Sequence, residues 1–191
     1  CDWSSDVCSS DLDAVGIERI NVCTYQAVSG TGKEAIEELA TQTAALLNAK
    51  EITAAVYPKQ IAFNVLPHID VFQDNGYTKE EMKMTNETKK IMGDDSVQVT
   101  ATCVRIPTIG GHSESVNIEF EKEFDVEEVK SLLSKAPGIV LKDDVSNFIY
   151  PMPLTAHDKD DTFVGRIRRD ETQANTMNCW VVSDNLRKGA R

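Results

Sequence analysis

Residues 17–26 read IERINVCTYQ, an alternation of apolar and polar side chains rich in strand formers, and the turn and helix pattern directly after it determine the kind of sheet it joins. A period of two predicts a strand with one buried face that ends near Gln26. The glycine-containing stretch SGTGK (29–33) then turns the chain. From Lys33 to Asn48, Ile36, Leu39, Ala40, Thr43 and Leu47 fall at helical spacing, which predicts a helix packed on the sheet.

Farther along the chain, YPKQIAFNVLPHIDVF (57–72) is apolar but broken by proline, and is expected to be an extended, irregular covering segment. In YTKEEMKMTNETKKIMGDD (77–95), Thr78 is placed as a helix N-cap, with Glu81 completing a capping box and Gly93 as the stop. Strands are expected at SVQVTATCVRI (96–106) and ESVNIEFE (114–121). A short helix capped by Asp125 comes next in DVEEVKSLLSKAPG (125–138). TFVGRIRRD (162–170) and NCWVVSD (178–184) alternate as closing strands, and NLRKGA (185–190) is expected to start a helix. Strand runs with intervening helices give an α+β fold, a mixed, mostly antiparallel sheet with helices packed on one face. No internal repeat is visible.

Composition bounds the function. A chain of 191 residues, 41% apolar with ten glycines and six prolines, is an ordinary globular length and make-up for one domain. Acidic residues outnumber Lys+Arg by 31 to 20, and a net charge near −11 argues against nucleic acid or an anionic membrane as partner. Without an apolar run of about eighteen residues or a basic-then-apolar leader, the chain reads as cytoplasmic. Cys1, Cys8, Cys23, Cys103 and Cys179 lack metal-ligand spacing and are odd in number, so most are expected to be buried thiols, with no metal site. Residues 1–12, CDWSSDVCSSDL, are dominated by serine and aspartate and carry no apolar period. They resemble an adapter-derived leader and are set apart from the domain at 13–191.

The stretch CVRIPTIGGHSE (103–114) carries the most chemistry. Arg105 ends one strand, a Pro/Gly turn comes after it, and His112 begins the next, so both side chains can reach one pocket. A guanidinium grips a carboxylate with two parallel hydrogen bonds, and an imidazole can pass protons near neutrality, which together suit a small carboxylated substrate. By spacing alone, an Arg and a His flanking a loop are more often surface or structural. Glu87 and Lys90 read first as a solvated i,i+3 ion pair, SGTGK as a plain turn able to hold an anion, and His68 and His157 as structural and solvated.

Taken in order, TYQAVSGTGKEAIEEL, YPKQIAFNVLPHIDVF, ETKKIMGDD, TCVRIP with GHSE, and DNLRKGA resemble the carboxyl-terminal part of the aspartate-semialdehyde dehydrogenases, from Asp13 to Ala190. The resemblance implies a glyceraldehyde-3-phosphate-dehydrogenase-like C-terminal domain that forms a homodimer. The parent enzyme would interconvert L-aspartyl 4-phosphate and NADPH with L-aspartate 4-semialdehyde, NADP and phosphate, on the route to lysine, methionine and threonine. By that resemblance His112 is the acid/base group and Arg105 the clamp on the substrate α-carboxylate. Gln26 orients the acyl group, Lys90 holds phosphate and Glu87 the amine, while Ser29, Gly30 and Asn185 approach the nicotinamide end of NADP.

The departures count as well. The family's nucleophile lies in an Asn-Cys-Ser/Thr motif some two dozen residues before the Gln26 position, which is absent here. Neither Cys8 nor Cys1 has the spacing and context to replace it. The glycine-rich cofactor domain that precedes that cysteine is also absent, so the chain is expected to be a fragment open at both ends and inactive alone. Two alternatives remain: a non-catalytic substrate-binding and dimerisation domain, and the related N-acetyl-glutamyl-phosphate reductase. The Gln26, Glu87, Arg105 and His112 set argues against the second.

Overall fold

The computed structural model describes residues 16–188, so the leader at 1–12, with Cys1 and Cys8, lies outside the described residues. The chain runs β1 (Ile17–Gln26), a 3-10 turn (Val28–Thr31), α1 (Lys33–Leu47), α2 (Lys79–Met92), β2 (Gln98–Arg105), β3 (His112–Phe120), α3 (Val126–Leu133) and β4 (Ile139–Leu141). A second 3-10 turn (Val145–Asn147), α4 (Pro153–Ala156), β5 (Thr162–Arg169) and β6 (Thr176–Ser183) complete it. The six strands form one sheet in the order β2-β1-β3-β6-β5-β4. β1 pairs with β2 and β4 with β5 in parallel, whereas β1–β3, β3–β6 and β5–β6 are antiparallel. This is the mixed, mostly antiparallel α+β sheet that the alternation implied.

One face of the sheet is the core. Ile20 and Val22 of β1 meet Val116 and Ile118 of β3 and Cys179 and Val181 of β6, and Met84 of α2 and Val129 and Leu133 of α3 close over them. Burying a side chain of this size contributes roughly 1.5–3 kcal/mol. Cys103 and Cys179 lie in this layer and burial pushes both thiols up to about 12, while Cys23 is half-buried on the opposite face.

α2 starts and stops as its sequence dictates. Glu81 N–H donates to Thr78 Oγ1 and Thr78 N–H to Glu81 Oε2, and Gly93 ends the helix in the left-handed region. Glu81 also accepts from Cys103 N–H at 2.9 Å, so the capping carboxylate ties the first turns of α2 to the β2 edge.

Three local features go beyond the expectations. α1 does not rest on the sheet: Ala35 and Leu39 pack with Val28, Tyr57, Ile61 and Leu66 of the turn and the irregular segment. The reason is polar. Glu38 accepts from the N–H groups of Ala55 and Val56, both at 2.6 Å, and of Tyr57 at 3.3 Å, while Gln42 Oε1 accepts from Ile61 and Ala62. A buried backbone without a ladder needs such partners, and the helix supplies them. Secondly, residues 185–188 of the expected helix start form a turn in which Lys188 N–H donates to Asp184 C=O at 3.0 Å, and residues 189–190 lie outside the described residues. Thirdly, β4 and α4 were not anticipated, because three and four residues are too short for either period to register. α4 lies with Phe163 and Val182 on the sheet face opposite the core.

Glu38→Ala should therefore leave three N–H groups short of an acceptor and lower stability by about 1–3 kcal/mol, with Glu38→Gln intermediate. Urea unfolding with amide exchange at Ala55–Tyr57 measures it; unchanged exchange there would refute the role given to Glu38.

Candidate active site

Parallel β1 and β2 end at the same edge of the sheet, level at Gln26↔Arg105, and antiparallel β3 begins there with His112 opposite Ser183, the last residue of β6. The loops after β1, β2 and β6 thus converge on one rim. Gln26, Arg105 and His112 are all buried there, at 7%, 6% and 7% exposure.

One residue joins Arg105 and His112. Ala27 N–H donates to His112 Nδ1 at 3.1 Å, and Arg105 Nη1 donates to Ala27 C=O at 2.7 Å. With Nδ1 accepting, the neutral imidazole carries its proton on Nε2. Burial, followed by the nearby Arg105 charge, pushes the His112 pKa down to about 3, so the ring is neutral at pH 7. Protonation would also set a second donor against the Ala27 N–H. Burial likewise lowers the Arg105 pKa, with Tyr57 and Glu80 opposing it; a guanidinium remains charged throughout. Arg105 Nε is buried with no hydrogen-bond partner among the described residues.

Gly30 lies against both groups. A Cβ built on it would stand 3.1 Å from Arg105 Nη1 and 3.3 Å from His112 Nε2, so a side chain here would press on the pair. Gly111, just before His112, has φ +79°, and its Cβ would meet Pro153 at 3.0 Å. Only glycine fits that turn without strain. Ser29 and Asn185 are both buried and bonded to each other, Asn185 Nδ2 donating to Ser29 Oγ at 3.1 Å, while Asn185 Oδ1 accepts from Gly111 N–H at 3.1 Å.

The structure does not bring Glu87 and Lys90 to this rim. The first turns of α2 lie level with the end of β2, through Glu81 on Cys103 N–H, whereas Lys89 Nζ at the other end reaches Asp95 C=O before β2 begins. Glu87 is six residues beyond Glu81, about 9 Å farther along the axis at 1.5 Å per residue. The pair at the correct end is Glu80 and Lys83, 3.9 Å apart at i,i+3 spacing, and Glu80 is near enough for its charge to act on Arg105. The sequence contains the same Glu-x-x-Lys spacing twice on one helix, in EEMK and ETKK, and only the docking of α2 on β2 distinguishes them. Ala27 was also missed, since a main-chain role leaves no side-chain signal.

Among the described residues, His157, Asp158 and Asp184 form one group able in principle to ligate a metal. Asp184 already accepts from the N–H groups of Asp158, Leu186 and Arg187, so its oxygens act in the loop. No helix among the described residues is long and apolar enough to cross a membrane.

Known proteins resemble this chain in sequence and fold. Residues 12–188 match the family described as semialdehyde dehydrogenase, dimerisation domain. The aspartate-semialdehyde dehydrogenases of Legionella pneumophila and Bacillus subtilis are each 56% identical to the chain over 93% of its length, which is 52% and 54% of those proteins. The chain therefore spans about half the length of these relatives. A solved aspartate semialdehyde dehydrogenase II of Vibrio cholerae, complexed with ASA, superposes with a TM-score of 0.92 at 47% identity, covering 96% of this chain and 55% of that one. A sheet of this topology, a rim built from Gln26, Arg105 and His112, and a match across nearly its whole length lead to one conclusion: the chain belongs to the semialdehyde dehydrogenase dimerisation-domain family.

Proposed function

We propose that this chain supplies the substrate-binding and proton-handling half of an NADP-dependent aspartate-semialdehyde dehydrogenase, acting on L-aspartyl 4-phosphate and L-aspartate 4-semialdehyde. The observation that carries the reading is the bridging of Arg105 and His112 by the two ends of Ala27. Arg105, with Nε unpartnered and Nη1 anchored, clamps the substrate α-carboxylate. Gln26 orients the acyl group beside it. Glu80 takes the substrate amine and Lys83 the phosphate; Glu87 and Lys90, assigned these roles on resemblance, stand too far along the helix.

Ser29, Gly30 and Asn185 would form the part of the rim that meets NADP, with Gly30 keeping the turn close against Arg105 and His112. When bound, NADP supplies the hydride acceptor or donor. His112 works at Nε2: as a neutral donor it holds its proton in a hydrogen bond to the oxygen on which negative charge develops. A substrate carboxylate on Arg105 would cancel the nearby positive field and raise the basicity of the imidazole.

The test is phosphate-dependent reduction of NADP by aspartate semialdehyde, in a protein extended to the length of the relatives. Arg105→Lys should raise KM, because charge is kept and the fork is lost. His112→Ala should lower kcat by about 10²- to 10⁴-fold. Lys83→Ala should raise the KM for phosphate while Lys90→Ala leaves it near the parent value; the reverse result would restore the Glu87–Lys90 assignment.

The chain itself tests the state of His112. Unfolded, the imidazole titrates near 6.5; folded, near 3. Below pH 6.5 the unfolded chain takes up the proton first, so stability falls between about pH 6.5 and 3, with a slope approaching about 1.4 kcal/mol per pH unit from this group. Chemical denaturation of His112→Gln across this range should lack that part of the slope. Identical profiles would mean that His112 is not held neutral.

The sheet face opposite the core supports self-association as a homodimer. Trp180 packs on Tyr25 with ring centroids 5.4 Å apart, and Tyr150, Met152 and Arg168 line a concavity of about 360 Å³ beside it. The family description and the exposed Tyr150, Met152 and Leu154 favour a second copy as occupant. Tyr150→Asp should weaken dimerisation at least tenfold by sedimentation; an unchanged dimer would move the interface elsewhere.

A further inference from the structure

The hydrogen-bond ladder between β1 and β3 stops at Tyr25↔Ser113. Beyond it the two chains separate, β1 into the 3-10 turn and β3 back into the Gly110–Gly111 turn. Yet the contact of Ala27 N–H with His112 Nδ1 requires these diverging backbones to keep a fixed spacing. Asn185, fully buried in the loop after β6, spans that gap: Oδ1 accepts from Gly111 N–H at 3.1 Å and Nδ2 donates to Ser29 Oγ at 3.1 Å. One bond fixes the residue before His112; the other fixes the residue before Gly30, which lies against the imidazole.

The loop is itself anchored. Asp184 accepts from Leu186 and Arg187 N–H groups through Oδ1 and from Asp158 N–H through Oδ2, and lies 3.3 Å from His157 Nδ1. Asp184 thus holds the third loop in place, and Asn185 uses it as a base from which to hold the other two.

We infer that Asn185, acting through Ser29 and Gly111, is a positioning residue that sets the orientation of the His112 imidazole and the closure of the Gly30 turn over it. The inference rests on the reading of His112 as the proton-handling group. A bifunctional amide suits the position: Oδ1 accepts from Gly111 N–H, and the Ser29 hydroxyl meets both amide atoms, accepting from Nδ2 at 3.1 Å and reaching Oδ1 at 3.2 Å. The Ser29 hydroxyl is the weaker half of the latch, because its loss leaves the Gly111 bond intact.

The experiment tracks the ¹⁵N signals of the His112 ring with pH in this chain, in Ser29→Ala, Ser29→Thr and Asn185→Ala. In both alanine variants the imidazole should titrate at least one pH unit higher than in the parent, and the Nδ1 signal should shift as the Ala27 bond loosens. Ser29→Thr, which keeps the hydroxyl, should return both readouts to the parent values. In the extended protein, Ser29→Ala should lower kcat at least tenfold with KM for aspartate semialdehyde changed less than threefold. An unaltered His112 titration in both alanine variants would overturn the inference. So would failure of both to fold, since the latch would then be a scaffold bond only. The ring titration needs no turnover: an inactive extended parent defeats the functional reading, whereas an unmoved titration defeats the latch.

Discussion

Two parallel strands that run in register must finish at the same edge of their sheet, and a third strand antiparallel to one of them must begin there. The eight paired positions from Arg19↔Gln98 to Gln26↔Arg105 impose this on β1 and β2, and the β1–β3 ladder brings His112 to the same rim. A shift of one residue in either pairing would turn Gln26, Arg105 or His112 to the opposite face. The apolar core beneath them prevents the shift, because Val22, Val116 and Cys179 would leave it together. The site is thus held by the same register that holds the core.

Around that rim the chain satisfies irregular backbone with side chains rather than ladders. Glu38 and Gln42 hold the segment beneath α1, Glu81 ties the β2 edge to α2, and Asn185 closes the space between the Ser29 and Gly111 turns. Each is a buried polar group with a short list of partners, and each trades desolvation for the fixing of a loop. The rim is thereby formed by loops whose positions are fixed.

The electrostatics depend on the same packing. Arg105 and His112 share Ala27, so the buried cation sits beside a ring that burial, and then the cation's charge, keeps neutral. A neutral imidazole next to an anchored guanidinium places one proton donor and one cation side by side on the same rim. Glu80, at the start of α2, sets the opposite charge near the same guanidinium.

By itself the sequence determined the periodic elements. The alternation of IERINVCTYQ, the Thr78–Glu81 capping box and the Asp125 cap report local energies, and local energies do not depend on what packs nearby. Arg105 and His112 were legible because they flank a recognisable turn and belong to a recognisable order of motifs. Tertiary structure decided what periodicity does not encode. It placed α1 on the irregular segment instead of the sheet, since the N–H groups that needed acceptors were there. It set Glu80–Lys83, not Glu87–Lys90, level with Arg105, because the same spacing recurs along α2 and only its docking on β2 fixes which turn faces the rim. It gave Ala27 a role carried entirely by main-chain atoms, which every residue possesses, so a main-chain contact made across 85 positions leaves no mark in the residue type.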